Sequence, residues 1–157
     1  MSVPDFLDSN VLVYAHDDTD LRKKEIAQDL VRRAVLGEFV VSTQSLVEFA
    51  TTLLHKFSPP FRPKDVLAIL DSVSPIKLVV PDSGVVRRAV EAREAYGLNF
   101  YDGMIVAAAE RGGCARIWSE DLNDGQKYFG IRVTNPFKLQ RVCHPKRRAQ
   151  RATEEPA

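Results

Sequence analysis

Cysteine is scarce in this 157-residue chain, and the two present, Cys114 and Cys143, stand beside apolar or basic neighbours with no CxxC spacing. That argues against a disulfide or a thiolate zinc site and predicts reduced structural thiols. Charge of one sign is also missing. With 22 Lys and Arg against 21 Asp and Glu, the formal net charge is +1. No global field attracts nucleic acid or a membrane surface, so a polyanionic partner must be held by local basic clusters. No apolar run reaches bilayer-spanning length, and the opening MSVPDF lacks the charged start and long apolar core of a secretion signal. The expectation is a cytoplasmic protein with no membrane partner, long enough to bury one sizeable core.

What is present is an alternation of strand-like and helix-like apolar periods. Phe6-Leu7 ends a short strand, and residues 20–37 form an amphipathic helix with Ile26, Leu30, Ala34 and Val35 on one stripe and Gly37 as its stop. Phe39 to Val41 is a second strand. Ser42 or Thr43 caps a helix running to about Phe57, before the break SPPFRP. Pro63 opens a shorter helix through Val73, and Lys77 to Val80 is a third strand. Pro81-Asp82 starts a helix to Tyr96 closed by Gly97, and another runs from near Tyr101 to Gly112-Gly113. Arg116 to Trp118 and Ile131 to Val133 complete about five strands. Strands separated by helices predict an α/β fold with a parallel sheet covered on both faces.

Within this alternation, four carboxylates sit where segments begin or end: Asp8 in FLDSNVLVYA, Glu48 in STQSLVEFATTLL, Asp102 in NFYDGMIVAAA and Asp121 in RIWSEDLNDGQ. Two of them interrupt strongly apolar runs, where an unpaired charge is costly unless a cation compensates it. The pattern suggests a hard divalent cation, Mg²⁺ best of all, since it takes oxygen ligands and keeps several waters. Ligands of open α/β sheets bind at the carboxyl ends of strands, and Asp8 and Asp121 each follow a strand. Asp102 lies in the first turn of its helix, with Ile105, Val106 and Ala109 on the face toward the sheet. Glu48 does not follow from the same logic. Its helix has an apolar stripe of Leu46, Ala50, Leu53, Leu54 and Phe57, and on the wheel Glu48 lies nearly opposite, with Gln44, Thr51, Thr52 and His55.

Each of these residues has a plainer alternative. Asp8 could simply cap the next helix, Asp102 could only complement a helix dipole, and Glu48 could be solvated. Glu120 or Asp124 competes with Asp121, or that loop is merely a turn. Asn10 and Asn123 are candidates for amides supporting the acids, with cap and turn roles equally open. The run His16-Asp17-Asp18-Thr19-Asp20 reads as a loop whose acids cap the following helix, His55 as a surface histidine, and Trp118 as core.

Taken together and in order, these four segments resemble the PIN domain family, and within it the VapC-type toxins of bacterial toxin–antitoxin pairs, from about Phe6 to Phe137. The resemblance implies a three-layer α/β/α sandwich over residues 1–140. It also implies that Asp8, Glu48, Asp102 and Asp121 form the catalytic set of an endoribonuclease. Asp8, Asp102 and Asp121 would be ligands of Mg²⁺ or Mn²⁺. Glu48 enters on the resemblance alone. The family often has Thr where this chain has Ser9, and either hydroxyl can hydrogen-bond an acid or a bound water. The resemblance further implies an RNA substrate, a homodimer, and a small antitoxin that inserts a side chain, often Arg, into the acidic pocket. The alternatives are a PIN domain with a degraded site used as a scaffold, or a phosphatase or phosphoacceptor domain using Asp8 as nucleophile.

For phosphate contacts the candidates are Arg32, Arg33, Arg87, Arg88, Arg93, Arg111 and Arg116, though helices carry such residues routinely. Residues 141–157, polar and basic and then acidic, read as a disordered tail.

Overall fold

Asp8 and Asp121 owe their meeting to the order of the strands. The computed structural model describes residues 2–138. Its strands are β1 (Asp5–Leu7), β2 (Phe39–Ser42), β3 (Lys77–Val79), β4 (Arg116–Trp118), β5 (Lys127–Tyr128) and β6 (Ile131–Thr134), in one sheet ordered β3-β2-β1-β4-β6-β5. The chain builds outward from β1 through β2 to β3, then returns to the other side of β1 with β4. That reversal makes the β1–β4 boundary the switch point of the sheet. Phe6 pairs with Val40 on one side and Ile117 on the other, and Leu7 pairs with Trp118.

All five expected strands are present and parallel; β5, which the sequence pattern did not suggest, adds at the edge as the antiparallel partner of β6. Two residues are too few for an apolar period to register. Its hairpin turns at Phe129 and Gly130, with φ of 48° and 80°, a pair of left-handed residues that suits a two-residue hairpin loop.

The helices are α1 (Ser9–Tyr14), α2 (Leu21–Val35), α3 (Thr43–His55), α4 (Pro63–Val73), α5 (Ser83–Tyr96) and α6 (Phe100–Arg111). Local chemistry sets their ends. Asp20, Ser42, Asp82 and Asn99 each accept from a backbone N–H of the first turn, Pro63 sits at the start of α4, and Gly97 closes α5 at φ 69°. Strand alternation then divides the core. Leu7, Phe39 and Val41 face a cluster with Val11, Leu30, Phe49 and Leu53 of α1, α2 and α3, while Phe6, Val40 and Val133 face Ile105, Val106 and Ala109 of α6. The result is the expected three-layer sandwich.

On the α6 side a second helical layer packs closely. A Cβ at Gly103 would stand 2.7 Å from the carbonyl oxygen of Ala89 on α5, so only glycine allows this approach. Cys114 is a buried thiol, its pKa pushed up to about 12 chiefly by burial, which suits the structural role expected of it. Trp118 packs edge-on against Phe39 and donates from Nε1 to Asp5 Oδ2 at 2.8 Å, a core position with a satisfied polar handle. Among the described residues no helix is long and apolar enough to cross a membrane. Cys143 and the tail expected from residue 141 lie outside the described residues.

Candidate active site

Asp8 leaves β1 and caps α1, so the capping role set against a functional one turns out to be part of the site. Its carboxylate is 5 % exposed. Oδ1 accepts from the Ser9 backbone N–H at 2.7 Å, and Oδ2 accepts from Ser119 Oγ at 2.7 Å and from Asn10 Nδ2 at 3.4 Å. Burial pushes its pKa up to about 6, against the lowering effect of the hydrogen bonds from Ser119 and Ser9, and the negative charges of Glu48 and Asp121 push the same way as burial.

Ser119 follows β4 directly and is fully buried. Besides donating to Asp8, its Oγ accepts from the backbone N–H groups of Asp121 and Leu122 at 3.1 and 3.4 Å. One hydroxyl thereby ties the end of β1 to the loop carrying Asp121. Asn10 makes the second tie. Nδ2 reaches Asp121 Oδ2 at 3.1 Å, and Oδ1 accepts from the Glu120 N–H at 3.3 Å. Asn10 thus hydrogen-bonds two of the acids, one of the two roles left open for it. Asn123 takes the alternative turn role, donating to Gln126 Oε1 at 3.0 Å.

The neighbouring acids of that loop are committed elsewhere. Glu120 pairs with Lys23 at 2.8 Å, and Asp124 accepts from the Asn135 N–H and faces Lys138. That leaves Asp121 as the loop acid turned toward Asp8. Asp17 and Asp20 make the local turn and cap expected of the His16–Asp20 run.

Glu48 is half-buried rather than solvated. Oε2 accepts from Ser9 Oγ at 2.8 Å and Oε1 from Gln44 Nε2 at 2.8 Å. The wheel misplaced it because the inner line of α3 is Ser45, Phe49 and Leu53, with Leu46, Ala50 and Leu54 only flanking. Glu48 lies one turn after Ser45, on the flank that α1 covers. Asp102 is also half-buried. Asn99 caps α6 and reaches back from Nδ2 to Asp102 Oδ2 at 3.0 Å. Burial raises the Asp102 pKa, and Asp121 and then Glu48 add to the rise. Asp8 and Asp102 therefore each sense the charges of Glu48 and Asp121.

Two polar side chains of this network, Ser119 and Asn99, had no signal in the sequence, and Gln44 was placed beside Glu48 by the helical wheel without a role. Gln44 Nε2 also donates to the Tyr101 carbonyl at 3.2 Å, linking α3 to the start of α6.

The donor set suits a hard cation. It consists of carboxylate oxygens with hydroxyl and amide neighbours, and the burial that chiefly raises Asp8 and Asp102, together with the smaller repulsion from neighbouring acids, is what a cation would offset. Among the described residues no three acid, histidine or cysteine side chains converge closely enough to ligate one ion directly, so waters would have to complete the shell, as Mg²⁺ commonly allows.

The expected phosphate-binding arginines are mostly occupied. Arg32 pairs with Asp29, Arg33 with Glu38, Arg87 and Arg88 with Glu91, Arg88 also with Glu110, and Arg111 with Asp82, while Arg93 donates to the Leu98 carbonyl.

Solved structures of other proteins share the fold. A toxin–antitoxin complex from Klebsiella pneumoniae aligns with a TM-score of 0.65 at 15% identity, covering 86% of this chain and 99% of that one. VapC20 of Mycobacterium tuberculosis, a toxin that cleaves the sarcin-ricin loop, aligns with a TM-score of 0.58 at 16% identity, covering 74% and 90%. No curated protein matches the chain. The sequence model of the PIN domain matches residues 6–126, a stretch that begins in β1 and takes in all four acids, and on that match the chain belongs to the PIN domain family.

Proposed function

We propose that this chain is a Mg²⁺-dependent endoribonuclease and the toxin of a toxin–antitoxin pair. The observation that carries the reading is Asp8, a buried carboxylate at the switch point of the sheet with the charges of Glu48 and Asp121 around it. Structure alone has no use for such an arrangement, because burial and the two neighbouring charges both make Asp8 harder to ionise. The toxin assignment draws support from the two neighbours of the same fold and from the resemblance in the four motifs.

Asp8, Asp102 and Asp121 would hold the cation, directly or through bound waters, with Mn²⁺ able to replace Mg²⁺. When bound, the ion lowers the pKa of a water to near neutrality and neutralises charge on the scissile phosphate. The protein's own part is orientation. Ser119 and the Ser9 N–H fix both oxygens of Asp8, and Asn10 keeps Asp121 turned toward it. Glu48, held between Ser9 and Gln44, would align the attacking water as a hydrogen-bond acceptor. A scaffold role with a degraded site is opposed by this network, which keeps every acid both present and supported.

Purified protein should cut a structured RNA at one or a few unpaired positions, stop in EDTA, and resume with Mg²⁺ or Mn²⁺. Cleavage that persists in EDTA, or a preference for duplex DNA, overturns the reading. A cognate antitoxin that places a cationic side chain among the acids should suppress the activity. Size-exclusion chromatography with light scattering should return a homodimer.

A further inference from the structure

A cleft of about 570 Å³ opens from the acids along α3. Its lining includes Glu48 and Asp121 and, further along α3, Lys56, with Asp17 as a third carboxylate. Glu48 and Lys56 are two helical turns apart, about 12 Å by the rise of a helix. Between them lie the exposed hydroxyl of Thr51 and, at the rim, Val47 and Tyr101, which are 58% and 68% exposed. Tyr101 thereby presents an exposed ring beside a cleft of mixed polar and apolar lining, a surface on which a base can stack. Tyr101 is also not loose: Gln44, which holds Glu48, donates to its backbone carbonyl. Among the described residues Lys56 makes no ion pair, in contrast to most of the arginines considered above.

We infer that this cleft is the path of the substrate strand: Tyr101 stacks an unpaired base beside the scissile position, and Lys56 holds a phosphate further along the strand. The inference rests on the ribonuclease reading and adds to it which residues bind the RNA and in what form. A base can lie on the Tyr101 ring only if it has left its helix, so the arrangement selects single-stranded RNA over duplex. A strand drawn toward four carboxylates also needs a cation beyond them, and Lys56 lines the cleft at that distance.

The test is a comparison of KM and kcat on a cleavable RNA for wild type, Tyr101→Ala, Tyr101→Phe, Lys56→Ala and Lys56→Arg. Tyr101→Ala should raise KM roughly five- to a hundredfold, the range of one base–aromatic stack, while Tyr101→Phe keeps it. Lys56→Ala should raise KM and lower the slope of log KM against log salt by about 0.7, as expected for one contact to a single strand, with Lys56→Arg restoring it. The kcat values should stay near wild type. Unchanged KM in both alanine variants, or a fall in kcat at constant KM, overturns the inference. Should wild type cut no RNA, the same variants are read in an Asp8→Asn background by fluorescence anisotropy with a labelled unstructured oligonucleotide. Binding that weakens in both alanine variants then upholds the cleft while the ribonuclease reading falls. Binding that does not change, or no RNA binding at all, overturns the cleft.

Discussion

On the outer side of α5 and α6, carboxylates meet guanidinium groups. Arg88 grips both oxygens of Glu110 at 2.9 and 3.1 Å and reaches Glu91 at 2.7 Å while lying 3.5 Å over the ring of Phe129, and Arg111 pairs with Asp82. At the β1–β4 edge, Asp8, Glu48, Asp102 and Asp121 meet hydroxyls, amides and backbone N–H groups instead. The two regions use the same residue types for opposite ends. In the first, each charge is neutralised within the fold, and its loss should be felt as stability. In the second, negative charge is gathered and left for something outside the chain to neutralise, so its loss should be felt as activity.

Asp8 gives the largest contrast. Asp8→Asn should reduce RNA cleavage by more than ~100-fold, beyond the range typical of outer-shell partners of a metal, without lowering stability. The pH dependence follows from its raised pKa. Between about pH 4 and 6 the folded state keeps a proton that the unfolded chain gives up, so stability is present at the acid end and falls as pH rises through that window, by on the order of 3 kcal/mol. Asp102 contributes with the same sign. Asp17, Asp82, Asp124 and His16 shift the opposite way, so the test is the difference between variant and wild type: urea unfolding in EDTA should show Asp8→Asn gaining stability relative to wild type between pH 4.5 and 7.5. A variant that is inactive and also less stable at pH 7.5 would put Asp8 in the same class as Arg88.

Glu48 sharpens the comparison, since it joins the acidic group through partners rather than by depth of burial. Glu48→Gln should cost activity nearly as much as the aspartate change. Gln44→Ala should cost ~10-fold, because Gln44 orients one of the Glu48 oxygens. His55→Ala, in the last turn of the same helix, should cost nothing. Equal rates for Glu48→Gln and His55→Ala would return Glu48 to a solvated helix face.

What the sequence made legible divides along a similar line. Features set by neighbours in the chain came through, such as the Asp82 cap, the Gly97 stop and the Pro63 start of α4. So did Asp8, Asp102 and Asp121, because an acid after a strand or in a first helical turn has a predictable position. Features that depend on residues far apart did not. Ser119 looks like any serine in WSED until β4 lies beside β1, 111 positions away. The position of Glu48 was misjudged because Ser45, a polar residue, lies on the inner line of α3, and a wheel drawn from apolar residues alone rotates that face. The resemblance to a family supplied Glu48 where geometry could not.

Gly103→Ala tests how far the two regions are coupled. The added methyl group would meet Ala89 O at 2.7 Å, so α5 and α6 must separate, at a cost of about 1–3 kcal/mol. Because Asp102 precedes Gly103 in the first turn of α6, activity should fall with stability, which a thermal melt beside an RNA cleavage assay would register together. A variant with a lowered melting temperature and full activity would mean that the turn carrying Asp102 is held from the Asn99 and Gln44 side alone.

The smallest expected effect is the cleanest control. Arg88→Ala removes a bidentate pair, a second pair and a cation–π contact, yet the Arg88 and Glu110 side chains are 36% and 38% exposed. Water screens such pairs, so the loss should be about 1 kcal/mol rather than the sum of three strong interactions. Added salt should weaken wild type toward the variant, since exposed ion pairs are screened at high ionic strength. Cleavage should be unchanged, because Arg88 lies outside the cleft and its partners Glu91 and Glu110 are not among the four acids. If Arg88→Ala instead raised KM for RNA at constant stability, the outer face of α5 and α6 would belong to the substrate surface, and its paired charges would no longer stand as the structural counterpart of the acidic cleft.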